Sequence, residues 1–236
     1  MYFKSPLASG KLLKRYKRFL SDVVLDTGET VTAACPNTGS MLGLTEPGST
    51  VYLSRSESPT RKYPHTWEMI YRPGFGLIGI NTSHPNGLLE EAIYQGKVPE
   101  LAGYQSCRRE VRYGENSRID LLLEGAGKMP CYVEVKNVTL FRRPGHAEFP
   151  DCVTERGTKH LRELAVMAQT NHRAVMVYVI QCESAVDFTF TPDLDPVYVE
   201  AFKVAATASV EAIALTCHVS PDKITIIGQV PILELL

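Results

Sequence analysis

A chain of 236 residues that is 44% hydrophobic and 22% charged can bury one large core or two small ones, and its composition is that of an ordinary globular protein. The formal charge of −1 excludes a protein committed by net charge to coating nucleic acid, yet residues 1–72 hold ten Lys and Arg against six Asp and Glu, leaving the remainder acidic. Six scattered cysteines with no Cys-x-x-Cys pair argue against structural zinc, and the absence of a signal-peptide core or a membrane-length apolar run predicts a cytoplasmic protein with no membrane partner.

The segment from Lys11 to Val24 has apolar positions that fit a helix as well as a bent strand, and periodicity leaves both open. Its run Lys14-Arg15-Tyr16-Lys17-Arg18-Phe19 interleaves cations that neutralise phosphates with aromatic faces on which bases stack; Arg61-Lys62-Tyr63 repeats the theme. A solvated basic face over core aromatics would read the same way. Short β-like runs at Glu29–Ala34, Thr50–Ser54, Thr66–Tyr71 and Leu77–Ile80, separated by Pro, Asn and Gly turns, predict a small sandwich or barrel. The polar turn from Cys35 to Met41 needs no more than turn geometry to explain it.

A helix is predicted over Leu88–Gln95, with Asn86 as its cap and Gly96 just past its end. Beyond it strands alternate with helices: a strand near Glu110–Tyr113, a hairpin of Ile119–Leu123 and Cys131–Val135, a helix from about Thr158 to Thr170, and the apolar strand Arg173–Gln181. Asp195-Pro196 then opens a helix to about Ala208, and Val210–Cys217 is another strand. This alternation predicts an α/β domain with a mixed sheet.

The hairpin carries the chemistry. Side chains alternate across a strand, so Glu134 and Lys136 share a face while Val135 turns into the core, and a turn at Gly125-Ala126-Gly127 brings Asp120 opposite. Two carboxylates and the Val135 backbone carbonyl suit Mg²⁺ or Mn²⁺, with Glu110 as a further candidate ligand and Lys136 placed to orient water. An acid-x-Lys triplet can equally be a solvated ion pair. Lys159 and His160 are expected in the first turn of their helix, where a bound phosphate would offset the unfavourable dipole.

Lys14 to Leu20, Cys35 to Met41, Ser117-Arg118-Ile119-Asp120, Glu134 to Leu140 and Phe149 to Leu161 together resemble the sugar fermentation stimulation protein A (SfsA) family, nearly end to end. The resemblance implies an N-terminal OB-like β-barrel over residues 1–83 that binds nucleic acid, and a C-terminal PD-(D/E)xK nuclease-like α/β domain with a mixed central sheet over residues 84–236. The catalytic motif then falls on Asp120, Glu134 and Lys136, with Ile119 where a proline often precedes the first acid. Family members are described as DNA-binding, with a regulatory link to maltose metabolism. The expected partner is therefore DNA, single- or double-stranded, contacted through Lys14, Arg15, Tyr16, Lys17, Arg18, Arg61, Lys62, Lys159 and His160. Two functions stay open: a metal-dependent nuclease, or a DNA-binding regulator whose nuclease-like domain is not catalytic; a homodimer is allowed by either.

Overall fold

The computed structural model describes residues 1–114 and 116–233; residue 115 and residues 234–236, the last of the expected second unit, lie outside the described residues. Alternating apolar and polar side chains set six strands in the first part: β1 (Ala8–Tyr16), β2 (Leu20–Leu25), β3 (Thr30–Ala34), β4 (Thr50–Arg55), β5 (His65–Arg72) and β6 (Gly76–Gly79). They form a sheet of order β3-β2-β1-β4-β5-β6, closed into a barrel where β3 pairs in parallel with β5 at Ala33↔His65 and Ala34↔Thr66. Leu12, Val23, Val31, Val51, Leu53 and Trp67 are buried inside it. The ambiguous segment is thus a bent hairpin. β1 shifts register between Leu12 and Lys14, and Gly10 permits close approach of β2, since a Cβ there would stand 2.5 Å from the Val24 carbonyl oxygen.

Next comes α1 (Pro85–Tyr94), whose start differs from the sequence expectation. Pro85, with its fixed φ and no N–H to lose, takes the first helical position after His84. Asn86 therefore lies inside the helix rather than capping it, while Gly96, at φ 68°, follows the helix end as expected. A short 3₁₀ turn at Pro99–Leu101 leads into the second sheet.

That sheet contains β7 (Ser106–Tyr113), β8 (Ser117–Glu124), β9 (Cys131–Val138), β12 (Arg173–Ile180), β14 (Glu211–Val219) and β15 (Ile224–Val230), in the order β15-β14-β12-β9-β8-β7. β9, β12 and β14 run parallel and the outer pairs antiparallel, so the sheet is mixed as expected. Between them, β10 (Leu140–Arg143), β11 (His146–Phe149) and β13 (Asp187–Phe190) form a separate small sheet that the sequence pattern did not reveal. α1 covers one face of the large sheet through Leu88, Leu89 and Ala92. The other face is covered by α2 (Glu155–Gln169) and α3 (Pro196–Thr207), through Leu161, Leu164, Tyr198 and Val199.

The barrel is joined to the α/β part by backbone and side-chain bonds. The Gly79 N–H donates to the Gln181 carbonyl at 2.8 Å, Arg72 Nη1 to the Phe141 carbonyl at 2.6 Å, and the Met41 N–H to Asp151 Oδ2 at 3.2 Å. Among the described residues, no helix is long and apolar enough to cross a membrane.

Candidate active site

β8 and β9 pair from Leu123↔Cys131 to Leu121↔Val133, and the ladder stops one residue short of Asp120 and Glu134. Asp120 fills the gap with its side chain. Its Oδ2 accepts from the Val135 N–H at 2.8 Å and its Oδ1 from Asn86 Nδ2, on α1, at 2.9 Å. A strand residue sends its N–H and C=O out on the same edge, so the Val135 carbonyl also faces this gap.

Glu134 is 2% exposed. Its Oε1 accepts from Lys136 Nζ at 2.7 Å and from His160 Nδ1 in a short contact, while its Oε2 is buried with no hydrogen-bond partner among the described residues. Arg156 Nε lies 3.4 Å from His160 Nε2 and Lys136 Nζ 3.2 Å from His160 Nδ1, so the ring is held among two cations and Glu134. His160 and Lys136 thus hold one oxygen of Glu134 and leave the other bare.

The electrostatics fit the same picture. Burial and then the charge of Glu134 push the Asp120 carboxyl above its ordinary value. Burial would also raise Glu134, but the His160 hydrogen bond and the Lys136 charge outweigh it, and Glu134 stays below the usual range. Two adjacent buried carboxylates, one of them with an orphaned oxygen, offer the kind of oxygen ligand that a hard cation takes. Nearby, the Tyr113 hydroxyl and the Glu163 carboxylate are buried without hydrogen-bond partners among the described residues, Glu163 having only a 3.7 Å ion pair to Lys159. Burial, with Glu134, Glu163 and Asp120 adding to it, pushes the Tyr113 phenol up.

The structure brings Asp120, Glu134, Val135 and Lys136 together. Glu110 stands apart: it faces the position of Asp120 on β7, but its left-handed backbone (φ 54°) leaves its side chain exposed, and no hydrogen bond or ion pair among the described residues joins it to the carboxylates. His160 is not a DNA-facing group of the first helical turn but is 5% exposed against Glu134. The reason is the helix start: Thr154 caps α2 by accepting from the Gly157 N–H at 3.1 Å, so Lys159 and His160 fall in its second turn rather than its first.

The barrel cations divide into exposed and engaged groups. Lys17 and Arg18 stand on the β1–β2 turn at φ 50° and 65°, exposed, and Lys62 is exposed beside Tyr63. Arg15 instead donates to the Arg18, Asn37 and Gly39 carbonyls at 2.8–2.9 Å, pinning the Cys35–Met41 turn. Lys14 pairs with Asp22 at 3.5 Å, the Tyr16 hydroxyl donates to the same Asp22 at 3.0 Å, and Arg61 donates to Thr66 Oγ1 at 2.6 Å. Sequence reasoning gave Asn86 only as a helix cap and assigned Arg156 no role, so it missed the contacts that both make at the site. A polar residue in the first turn of an amphipathic helix was the one available signal for Asn86, and it indicates a cap equally well.

Residues 13–80 match the model of the SfsA N-terminal OB domain, and residues 83–223 that of the sugar fermentation stimulation protein RE domain. The chain belongs to the SfsA family. It is 53% identical over 236 residues to a sugar fermentation stimulation protein homolog of Azorhizobium caulinodans, covering 99% of this chain and all of that one. The Agrobacterium fabrum homolog is 52% identical over 230 residues, covering 98% and 96%. The solved structure of Pyrococcus furiosus SfsA in complex with Ca²⁺ superposes with a TM-score of 0.89 at 28% identity, covering 99% of this chain and 98% of that one. This SfsA chain therefore has the expected architecture, an OB barrel followed by an α/β domain with a mixed sheet.

Proposed function

We propose that this SfsA protein is a divalent-metal-dependent nuclease that binds DNA and hydrolyses its phosphodiester bonds. The observation that carries the reading is the bare, buried Oε2 of Glu134 beside Asp120, with Lys136 on the same strand face. Asp120, Glu134 and the Val135 carbonyl would hold Mg²⁺ or Mn²⁺, and the Ca²⁺ in the Pyrococcus furiosus relative supports a hard, oxygen-seeking ion. When bound, such an ion supplies stabilisation of the charge that develops on phosphate oxygens.

The chain's own groups do the rest. Asn86 and the Val135 N–H fix Asp120, His160 fixes Glu134, and Lys136, 14% exposed, positions the attacking water and its proton. The exposed cations Lys17, Arg18 and Lys62 would attract the nucleic-acid backbone to the barrel, within a division into residues 1–83 and 84–236. A role in sugar metabolism would then be an outcome of DNA binding.

Purified protein is incubated with single-stranded, duplex and branched DNA in Mg²⁺ or Mn²⁺, beside Glu134→Gln and Lys136→Ala. Wild type is expected to cut at least one substrate, and each variant to lose about 10²-fold or more. Equal cutting by all three would indicate a contaminant. Binding without cutting on every substrate would favour the non-catalytic regulator.

A further inference from the structure

The β1–β2 turn, Lys17-Arg18-Phe19, is held more firmly than a plain hairpin needs. Lys17 and Arg18 keep left-handed backbone at φ 50° and 65°, and Met41, in the turn that Arg15 pins, does so at 51°. Residues other than glycine rarely adopt that conformation, and such positions gather where a ligand is clamped. Arg15 fixes the tip through the Arg18, Asn37 and Gly39 carbonyls, and the Cys35 N–H donates to the Phe19 carbonyl at 2.8 Å. What the tip presents is apolar as well as basic. Phe19 is 52% exposed and Leu42, next to Met41, is 53% exposed, whereas Tyr16, the other aromatic of the run, is half-buried with its hydroxyl on Asp22.

This tip is tied to the candidate site. Ser40 Oγ donates to the Asp151 carbonyl at 3.0 Å, three residues before the α2 cap Thr154. Burial raises the Cys152 thiol, and the Arg18 charge is close enough to oppose that rise. Two residues beyond the cap, the exposed Arg156 has its Nε 3.4 Å from His160 Nε2, and the other ring nitrogen of His160 contacts Glu134. From Thr154 to His160 the helix rises only roughly 9 Å. Exposed cations therefore stand at both ends of a short path, Lys17 and Arg18 at the tip and Arg156 at the site.

We propose that this path is a track for an unpaired DNA strand, with Phe19 stacking on a base and Arg156 taking the backbone phosphate nearest Asp120 and Glu134. The inference rests on the nuclease reading and deepens it by naming the form of DNA that the site receives, a single strand or the single-stranded arm of a duplex. The chemistry of the tip makes the choice. A duplex shows a protein its phosphates and groove edges and keeps its base faces stacked, so an exposed phenyl ring gains little from it. An unpaired strand offers its base faces, and an aromatic ring stacks on any of the four bases. Lys17 and Arg18 neutralise the adjoining phosphates. Neither stacking nor phosphate contact reads a base edge, so the track is indifferent to sequence.

The test measures, by anisotropy in EDTA, binding of the full chain to three fluorescein-labelled probes: a single-stranded oligonucleotide, a blunt duplex, and a duplex with one single-stranded arm. Wild type is compared with Phe19→Ala, Phe19→Trp and Arg156→Gln across a salt series, with melting temperatures taken in parallel. Wild type should bind the strand and the arm about ten-fold more tightly than the blunt duplex. Phe19→Ala should lose about ten-fold on those two probes alone, with its salt slope unchanged, and Phe19→Trp should restore the loss. Arg156→Gln should reduce the log–log salt slope by about one. An abasic site moved along the arm should weaken wild type at one position and Phe19→Ala at none. Equal binding of strand and blunt duplex, or a Phe19→Ala variant that keeps wild-type affinity, overturns the track and leaves the nuclease reading to its cleavage assay. A Phe19→Ala variant that binds weakly but melts well below wild type assigns the ring a structural role and also overturns it. Wild type that shows the strand preference and its dependence on Phe19, yet cuts no DNA in Mg²⁺ or Mn²⁺, keeps the track and removes the nuclease.

Discussion

Asp120, a ligand in the proposed site, opposes the stability of the fold that carries it. Burial and the neighbouring Glu134 charge both resist its ionisation, so its folded-state pKa lies above the ordinary 3.8. For an acid raised in this way, the unfolded chain gives up its proton first. Stability is therefore lost as pH rises from 3.8 through the folded-state value. Asp120→Asn removes that loss while keeping an oxygen for the Val135 N–H. In metal-free buffer at neutral pH the variant should be more stable by about 1 kcal/mol, roughly 2–4 °C for a chain of this size. The gain should vanish below pH 3.8, where both states of the wild type are protonated. Added Mg²⁺ or Mn²⁺ should raise the wild-type melting temperature and leave the variant unchanged. Scanning calorimetry across pH and metal checks each point. An unchanged wild type in metal would remove the cation from Asp120 and Glu134.

At the scale of elements, the site depends on how helices are started. Asp195 is 1% exposed and serves two of them: its Oδ1 accepts from the Tyr198 N–H of α3 at 3.0 Å, and its Oδ2 from the N–H of Thr154, the cap of α2, at 2.8 Å. Asp195→Ala strands both donors and should cost roughly 2–4 kcal/mol. Because α2 carries His160, Glu134 should lose its hold as well, and cutting activity should fall more than residual folding accounts for. Activity per folded molecule equal to wild type would separate the cap from the site. The Asp195-Pro196 start was legible because cap and fixed-φ residue stand side by side in sequence. Thr154 was not: its capping bond to the Gly157 N–H is local, but Gly157 is a poor helix former and the Thr158-Lys159-His160 triplet resembles a later helix start. The β8–β9 hairpin was legible for the same local reasons as α3. By contrast, β11 pairs with β13 across the whole of α2 and β12, in four-residue strands too short to show a period. Asn86 reaches Asp120 through tertiary packing that no spacing encodes.

Across the whole molecule, the barrel and the α/β part meet around Glu68, on β5. It is 4% exposed and accepts from Ser54 Oγ on β4 at 2.5 Å, from Asn81 Nδ2 at 2.8 Å and from His84 Nε2 at 2.7 Å, His84 being the residue from which α1 starts. Asn81 in turn offers its carbonyl to Gln181, at the end of β12, at 3.2 Å. Burial alone would raise the Glu68 carboxyl, but His84, Ser54 and Asn81 outweigh it and hold it below its ordinary 4.5. A depressed acid contributes stability that is complete above the unfolded value and is lost as pH falls through the folded one. Wild type should therefore lose stability below pH 4.5 more steeply than Glu68→Gln, whose side chain keeps an acceptor but no charge. At pH 7 Glu68→Ala should cost about 3–5 kcal/mol, the toll of leaving several buried partners without their acceptor. Because the hub spans both parts, unfolding followed at Trp67 inside the barrel and by far-ultraviolet dichroism of the helices should coincide in wild type. In Glu68→Ala the two transitions should separate, with the barrel signal changing first. Coincident transitions in the variant would show that the backbone bond at Gly79 and the side-chain bond of Arg72, rather than the Glu68 network, couple the barrel to the site.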